Sequence, residues 1–189
     1  MTAEVVTDLE RLREVALDQY GYVTTAQALG VGVPHPQLSK MVARGRLTRV
    51  AHGVYQVPQV PTTQYGPFML AVLWTGAPES CLSHDTALAA WEISDINPTA
   101  IHVTVGRHRR IARAGGEGYV LHRQDLNDNE RTWWEGIPIV TVPTAIAQSI
   151  DSGVPTYLLR QALERGGRTG ALTQADHDAL AASLEGRHG

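Results

Sequence analysis

The chain has 189 residues, 43% apolar and 19% charged, with 16 Lys+Arg against 19 Asp+Glu for a formal charge of −3. Such a chain buries about 70% of its unfolded surface in one large domain or two small ones, which excludes a disordered or strongly basic protein. Lys40 is the only lysine among the 16 basic residues, so a phosphate-cradling Gly-Lys loop, a Schiff-base lysine and an Asp…Glu-x-Lys nuclease centre all lack the residue they require.

Thr7-Asp8-Leu9-Glu10 has the spacing of a capping box, and Val5, Leu9, Leu12 and Ala16 recur at helical steps, predicting a helix that ends near Tyr20 with Gly21 as its stop. Thr24-Thr25-Ala26-Gln27 repeats the pattern, with Gly30 close behind, so the second helix is short. A proline at the first helical position predicts a third helix starting near Pro36 and stopping at Gly45. Leu47 to Val50, the turn Ala51-His52-Gly53 and Val54 to Val57 then read as a hairpin whose glycine suits the left-handed position. Three helices followed by a hairpin make a winged helix-turn-helix over residues 1–58.

On the third helix Leu38, Met41 and Val42 share one face, while Gln37, Ser39, Lys40 and Arg44 lie away from it. Residues 1–20 sum to −3, residues 21–62 to +4 through Lys40, Arg44, Arg46 and Arg49, and the remainder to −4; no carboxylate stands between Asp18 and Glu79. An acid-free basic stretch coinciding with a polar helix face is the footprint of a DNA reader. Gln37 suits adenine and Arg44 guanine or phosphate, with Arg46, Arg49 and His52 on the wing for phosphates or the minor groove. The competing reading is a winged helix that docks on protein, its polar face merely solvated.

Pro58 to Thr63 has two prolines and no charge and reads as a linker, placed at residues 59–65 ahead of a second domain at 66–189. In that domain Gly66 to Trp74 reads as a buried helix, Ser83 as the cap of a helix running to about Glu92, and Ile101–Val105, Tyr119–His122 and Ile137–Val142 as strands. Helices follow at Thr144–Ile150, Thr156–Arg165 and Thr173–Leu184. The fold class is therefore α+β, a winged helix followed by a mixed domain that ends in helices. The apolar run Phe68 to Trp74 is too short to span a bilayer, the first residues are acidic, and the single cysteine, Cys81, has no partner for a disulfide or a Cys-x-x-Cys site. A cytoplasmic protein without membrane contact is expected.

Several residues invite catalysis and are outweighed. Cys81, Ser83, His84 and Asp85 straddle a helix start without an oxyanion-forming loop, so capping is the better reading, although a hydrolase using His84 and Asp85 stays as a distant third hypothesis. The eight histidines, at 35, 52, 84, 102, 108, 122, 177 and 188, include no His-x-x-x-His pair, and neither metal nor cofactor is expected. Gly115-Gly116-Glu117-Gly118 reads as a hairpin turn rather than a phosphate loop, and Asp176-His177-Asp178 lacks the setting of a nucleotidyltransferase centre. Arg107, Arg109, Arg110 and Arg113 form the densest cationic run; it suits a second nucleic-acid contact, an acidic protein partner, or plain solvent. Of Trp133 and Trp134, one is expected in the core and the other as an interface anchor.

Arg44-Gly45-Arg46-Leu47-Thr48-Arg49-Val50 followed by Gly53-Val54-Tyr55 resembles the hairpin of the AbiEi-type antitoxins. Ser83-His84-Asp85-Thr86-Ala87-Leu88, His102-Val103-Thr104-Val105 and Gly136-Ile137-Pro138-Ile139-Val140-Thr141-Val142-Pro143 resemble successive motifs of that group's second domain, although relatives often have Arg-Thr where this chain has Thr144-Ala145. The resemblance implies an antitoxin of a bacterial toxin–antitoxin pair whose toxin is a nucleotidyltransferase. It also implies an autorepressor that binds inverted repeats in its own promoter, with Arg44, Arg46 and Arg49 at the family's basic positions. It implies no enzymatic activity, and neutralisation either by direct complex or indirectly. A half-site reader of this size suits a dimer on DNA.

Overall fold

The computed structural model describes residues 6–187; Val5 and His188 lie outside them. Thr7 and Glu10 close the expected capping box at the head of α1 (Asp8–Leu17), and Thr24 and Gln27 close another on α2 (Thr25–Gly30). The first helix ends before Tyr20, because Tyr20 (φ 54°) and Gly21 (φ 89°) turn the chain left-handed. The three residues that follow form β1 (Tyr22–Thr24), too short to display a strand's alternation in the sequence. The third helix, α3 (His35–Ala43), carries Pro36 in its first turn and is ended by Gly45 at φ 69°.

Strands β2 (Thr48–Ala51) and β3 (Val54–Gln56) make the wing, turning at Gly53 with φ 67°. The antiparallel sheet has the order β1-β3-β2, with an irregularity in register between Arg49 and Ala51. Under it Leu12, Val23, Leu38, Leu47, Tyr55 and Val57 pack into one core, so Tyr55 is a packing residue. Val60 joins the same core from the segment expected to be a linker. The helix α4 (Gly66–Trp74) packs on β1 and β3.

The chain divides into two compact units, the first taking in the chain to Pro78 together with Ile111–Gly116, the second Glu79–Arg110 and the chain from Glu117 onward. Placing α4 after a domain boundary therefore fails on packing, since the helix lies against the winged helix's own sheet.

The second unit is built on five strands in the order β6-β5-β4-β8-β7. These are β4 (Cys81–Leu82), β5 (Ile101–Val105), β6 (Tyr119–Arg123), β7 (Arg131–Trp134) and β8 (Ile137–Val140). The pairs β5/β6 and β4/β8 are parallel, β4/β5 and β7/β8 antiparallel. Parallel pairing of β5 and β6 rules out a hairpin at Gly115–Gly118; the glycines belong to a crossover loop. The true hairpin joins β7 and β8 through Glu135 (φ 49°) and Gly136 (φ 72°), a two-residue turn with both residues left-handed. Helices α5 (His84–Ala90), α6 (Val142–Asp151), α7 (Thr156–Arg168) and α8 (Gln174–Gly186) complete the unit, α6 touching each of the other three. Asp176 is engaged in the capping box with Thr173. The α+β class, the leading winged helix and the closing helices are as the sequence reads.

Candidate nucleic-acid interface

The buried side of α3 is Leu38 and Met41, which orients the opposite side outward. Lys40 and Arg44 are exposed there, with Arg46 just beyond the helix and Arg49 and His52 on the wing. Among the described residues, none of these five side chains has a hydrogen-bonding or ion-pair partner. Four guanidinium or ammonium groups and an imidazole thus remain available to an outside partner.

Gln37 and Ser39 differ. Gln37 is half-buried, and its Nε2 donates to Asp8 Oδ2 at 3.0 Å. One amide hydrogen is therefore engaged, leaving the other and the carbonyl oxygen for a base. Ser39 Oγ donates to the His35 carbonyl at 3.2 Å, so its proton is committed and its oxygen is left as an acceptor. Asp8 is in turn held 3.0 Å from Arg11. A carboxylate thus reaches the first turn of α3 across space although none lies near it in sequence, and Arg11 neutralises it.

The arginine run splits between uses. Arg109 forms a two-pronged pair with Glu79, at 2.7 and 2.9 Å, and this pair holds the Glu79 carboxyl below the usual carboxylate range. Glu79 also accepts from Gly106 N–H, and Asp125 accepts from Arg107 N–H at 2.9 Å, so two carboxylates fix the backbone of this loop. The side chains of Arg107 and Arg110 are exposed, with no partner among the described residues. Arg113 belongs to the other unit and donates to the His52 and Trp74 carbonyls.

Histidines scattered through the sequence assemble in the second unit, where the starts of α5 and β5 meet β6. The rings of His84 and His122 stack 3.4 Å apart at 12°, and His102 Nδ1 lies 3.0 Å from His122 Nε2. Thr104 Oγ1 donates to Ser83 Oγ, which is hydrogen-bonded to His84 Nδ1 at 2.9 Å. Ser83 stands at the N-cap of α5 without capping it, because its hydroxyl serves this chain instead. Burial lowers His84 to a pKa of about 3 and His122 to about 4, reinforced by the neighbouring imidazoles.

Those rings are neutral and packed. The stacked rings of His84 and His122, with centroids 3.4 Å apart, do not turn their lone pairs toward one another as two ligands of one ion would. Ser83 is fully buried. Burial also pushes the Cys81 thiol up to about 12, so it is inert at neutral pH. No helix among the described residues is long and apolar enough to cross a membrane. Trp133 is 68% exposed on the edge strand β7, while Trp134, half-buried, does not reach the core expected for one of the pair.

Residues 10–58 match the family described as "Transcriptional regulator, AbiEi antitoxin", which covers α1 through the wing and supports an antitoxin or regulator role. No curated protein matches the chain. The crystal structure of the RV2827C protein from Mycobacterium tuberculosis aligns over 95% of this chain and 82% of that one, with 15% identity and a TM-score of 0.42.

Proposed function

We propose that the protein is a DNA-binding antitoxin that represses its own promoter and counteracts a nucleotidyltransferase toxin, without catalysis of its own. The observation that carries this reading is the set of unpaired cations, Lys40, Arg44, Arg46 and Arg49, on the outer face of a winged helix. Arg109 finds a carboxylate and Arg113 backbone carbonyls; these four side chains have neither among the described residues. Helix α3 enters the major groove, Lys40 and Arg44 reach phosphate or guanine, Gln37 and Ser39 offer acceptors to base edges, and Arg46, Arg49 and His52 track the flanking backbone. Two copies on inverted half-sites satisfy the geometry of such a reader.

Arg107 and Arg110 form a second cationic contact for DNA or the toxin, with Arg109 and Arg113 holding structure rather than partner. The protein works in the cytoplasm. Two measurements test the reading together: a gel shift with a duplex taken from upstream of the gene, at 150 mM salt, and co-expression with the adjacent gene's product. A retarded band and relief of growth arrest are expected. No shift combined with co-purification of the neighbour would instead favour a protein-binding adaptor.

A further inference from the structure

Arg113 lies 61 positions from His52 in sequence, yet its Nη1 donates to the His52 carbonyl at 3.1 Å and to the Trp74 carbonyl at 2.9 Å. The first carbonyl is at the apex of the wing turn, the second on the last residue of α4. A guanidinium is suited to both, because charge-assisted bonds are roughly twice as strong as neutral ones and a cation is favoured at a helix C-terminus. On its other flank the turn is held by Thr25 N–H, which donates to the Gly53 carbonyl at 3.0 Å. The wing is therefore pinned from two sides, by α2 and by Arg113.

The seat for Arg113 is built rather than incidental. Gly76, at φ 67°, leaves open the space the guanidinium occupies; a Cβ there would fall on it. Trp74 Nε1 donates to the Ala114 carbonyl at 2.9 Å, and a Cβ on Gly116 would lie 2.6 Å from the Trp74 ring. The segment Ile111–Gly116 belongs to the first unit although the chain on either side of it belongs to the second.

We infer that Arg113 is a positioning residue for DNA recognition, fixing the wing turn so that Arg49 and His52 meet the backbone beside the groove that α3 enters. This rests on the DNA-binding reading above. Without the strut the turn keeps its Thr25 anchor and the pairing of β2 with β3, and the wing loosens its hold on the backbone while α3 stays in the groove.

Hydroxyl-radical footprinting of the full chain on the upstream duplex separates the cases. For Arg113→Ala, loss of the outer, wing-side protections with the central ones retained is expected. Affinity should fall about tenfold, the scale of one or two phosphate interactions. Arg113→Lys should restore part of both, and Gly116→Ala should reproduce the altered footprint by displacing the segment without removing a charge. A wild-type footprint for Arg113→Ala overturns the inference, provided the Lys40, Arg44, Arg49 triple alanine variant has lost binding. If that triple variant binds like the wild type, the DNA-binding reading itself fails and takes the strut with it. Collapse of the fold in both Arg113→Ala and Gly116→Ala would assign Arg113 to stability alone and equally overturn its role at the wing.

Discussion

The basic side chains of the two units differ in how they are engaged, although Arg11 of the first is paired with Asp8 and Arg107 and Arg110 of the second have no partner among the described residues. In the second, Arg109, Arg131 and Arg165 each sit within 2.8 Å of a carboxylate, on Glu79, Asp128 and Asp95. In the first, Lys40, Arg44, Arg46 and Arg49 face outward unpaired. The overall balance of −3 conceals this division. Surface pairs of the first kind contribute little to folding, typically below about 1 kcal/mol, whereas unpaired cations on one face create a field that a polyanion neutralises. Whether a cation is engaged within the fold, by a carboxylate as Arg109 is or by carbonyls as Arg113 is, matters more here than the number of arginines.

Breaking that contrast where it is strongest gives the largest effect. Replacing Lys40, Arg44 and Arg49 with alanine removes three unpaired charges; binding to the upstream duplex should weaken about a hundredfold at 150 mM salt, with melting temperature unchanged. A matching fall in melting temperature would show that the cations serve the fold.

Acid acts next, and on the second unit. His84 and His122 have folded pKa values of about 3 and about 4 against an ordinary 6.5, so the unfolded chain binds their protons first as pH falls. Stability is full above pH 6.5 and declines as the pH drops toward those values, by at most about 1.4 kcal/mol per pH unit for each proton. Denaturant melts from pH 7 to 4 should show this decline, and His122→Gln should flatten it.

Smaller again is the loop pair. Glu79→Gln leaves Arg109 and the Gly106 N–H with a weaker acceptor, and the part-exposed site limits the cost to about 1 kcal/mol, read as a small drop in denaturation midpoint. Smallest is the double variant Arg107→Ala, Arg110→Ala. These side chains have no partner among the described residues, so stability should stay within about 0.5 kcal/mol of wild type while binding to DNA or toxin falls.

What the sequence reveals about this molecule follows the range of the interactions involved. The capping boxes of Thr7/Glu10, Thr24/Gln27 and Thr173/Asp176 are three-residue signals, and the left-handed Gly45 and Gly53 mark stops and turns locally. The winged helix and its basic face are therefore legible. Strands β1 and β4 are not, because two or three residues hold no period. The histidine stack depends on parallel pairing of β5 with β6, which no local pattern encodes, and the same pairing turns the glycine run from a hairpin into a crossover. In sequence Arg113 is indistinguishable from its neighbours in the basic run, since the wing and α4 carbonyls that employ it are far along the chain. Asp8 likewise reaches Gln37 from another helix, so an acid-free stretch of sequence is not an acid-free surface.

Whether the outer face of α3 and the wing meets DNA is decided by the salt dependence of binding to the upstream duplex, wild type against the Lys40, Arg44, Arg49 triple alanine variant. If these cations release counterions from phosphates, a plot of log affinity against log salt should become shallower by about 0.9 for each phosphate no longer neutralised. Parallel lines for the two proteins would contradict the assignment of this face to DNA.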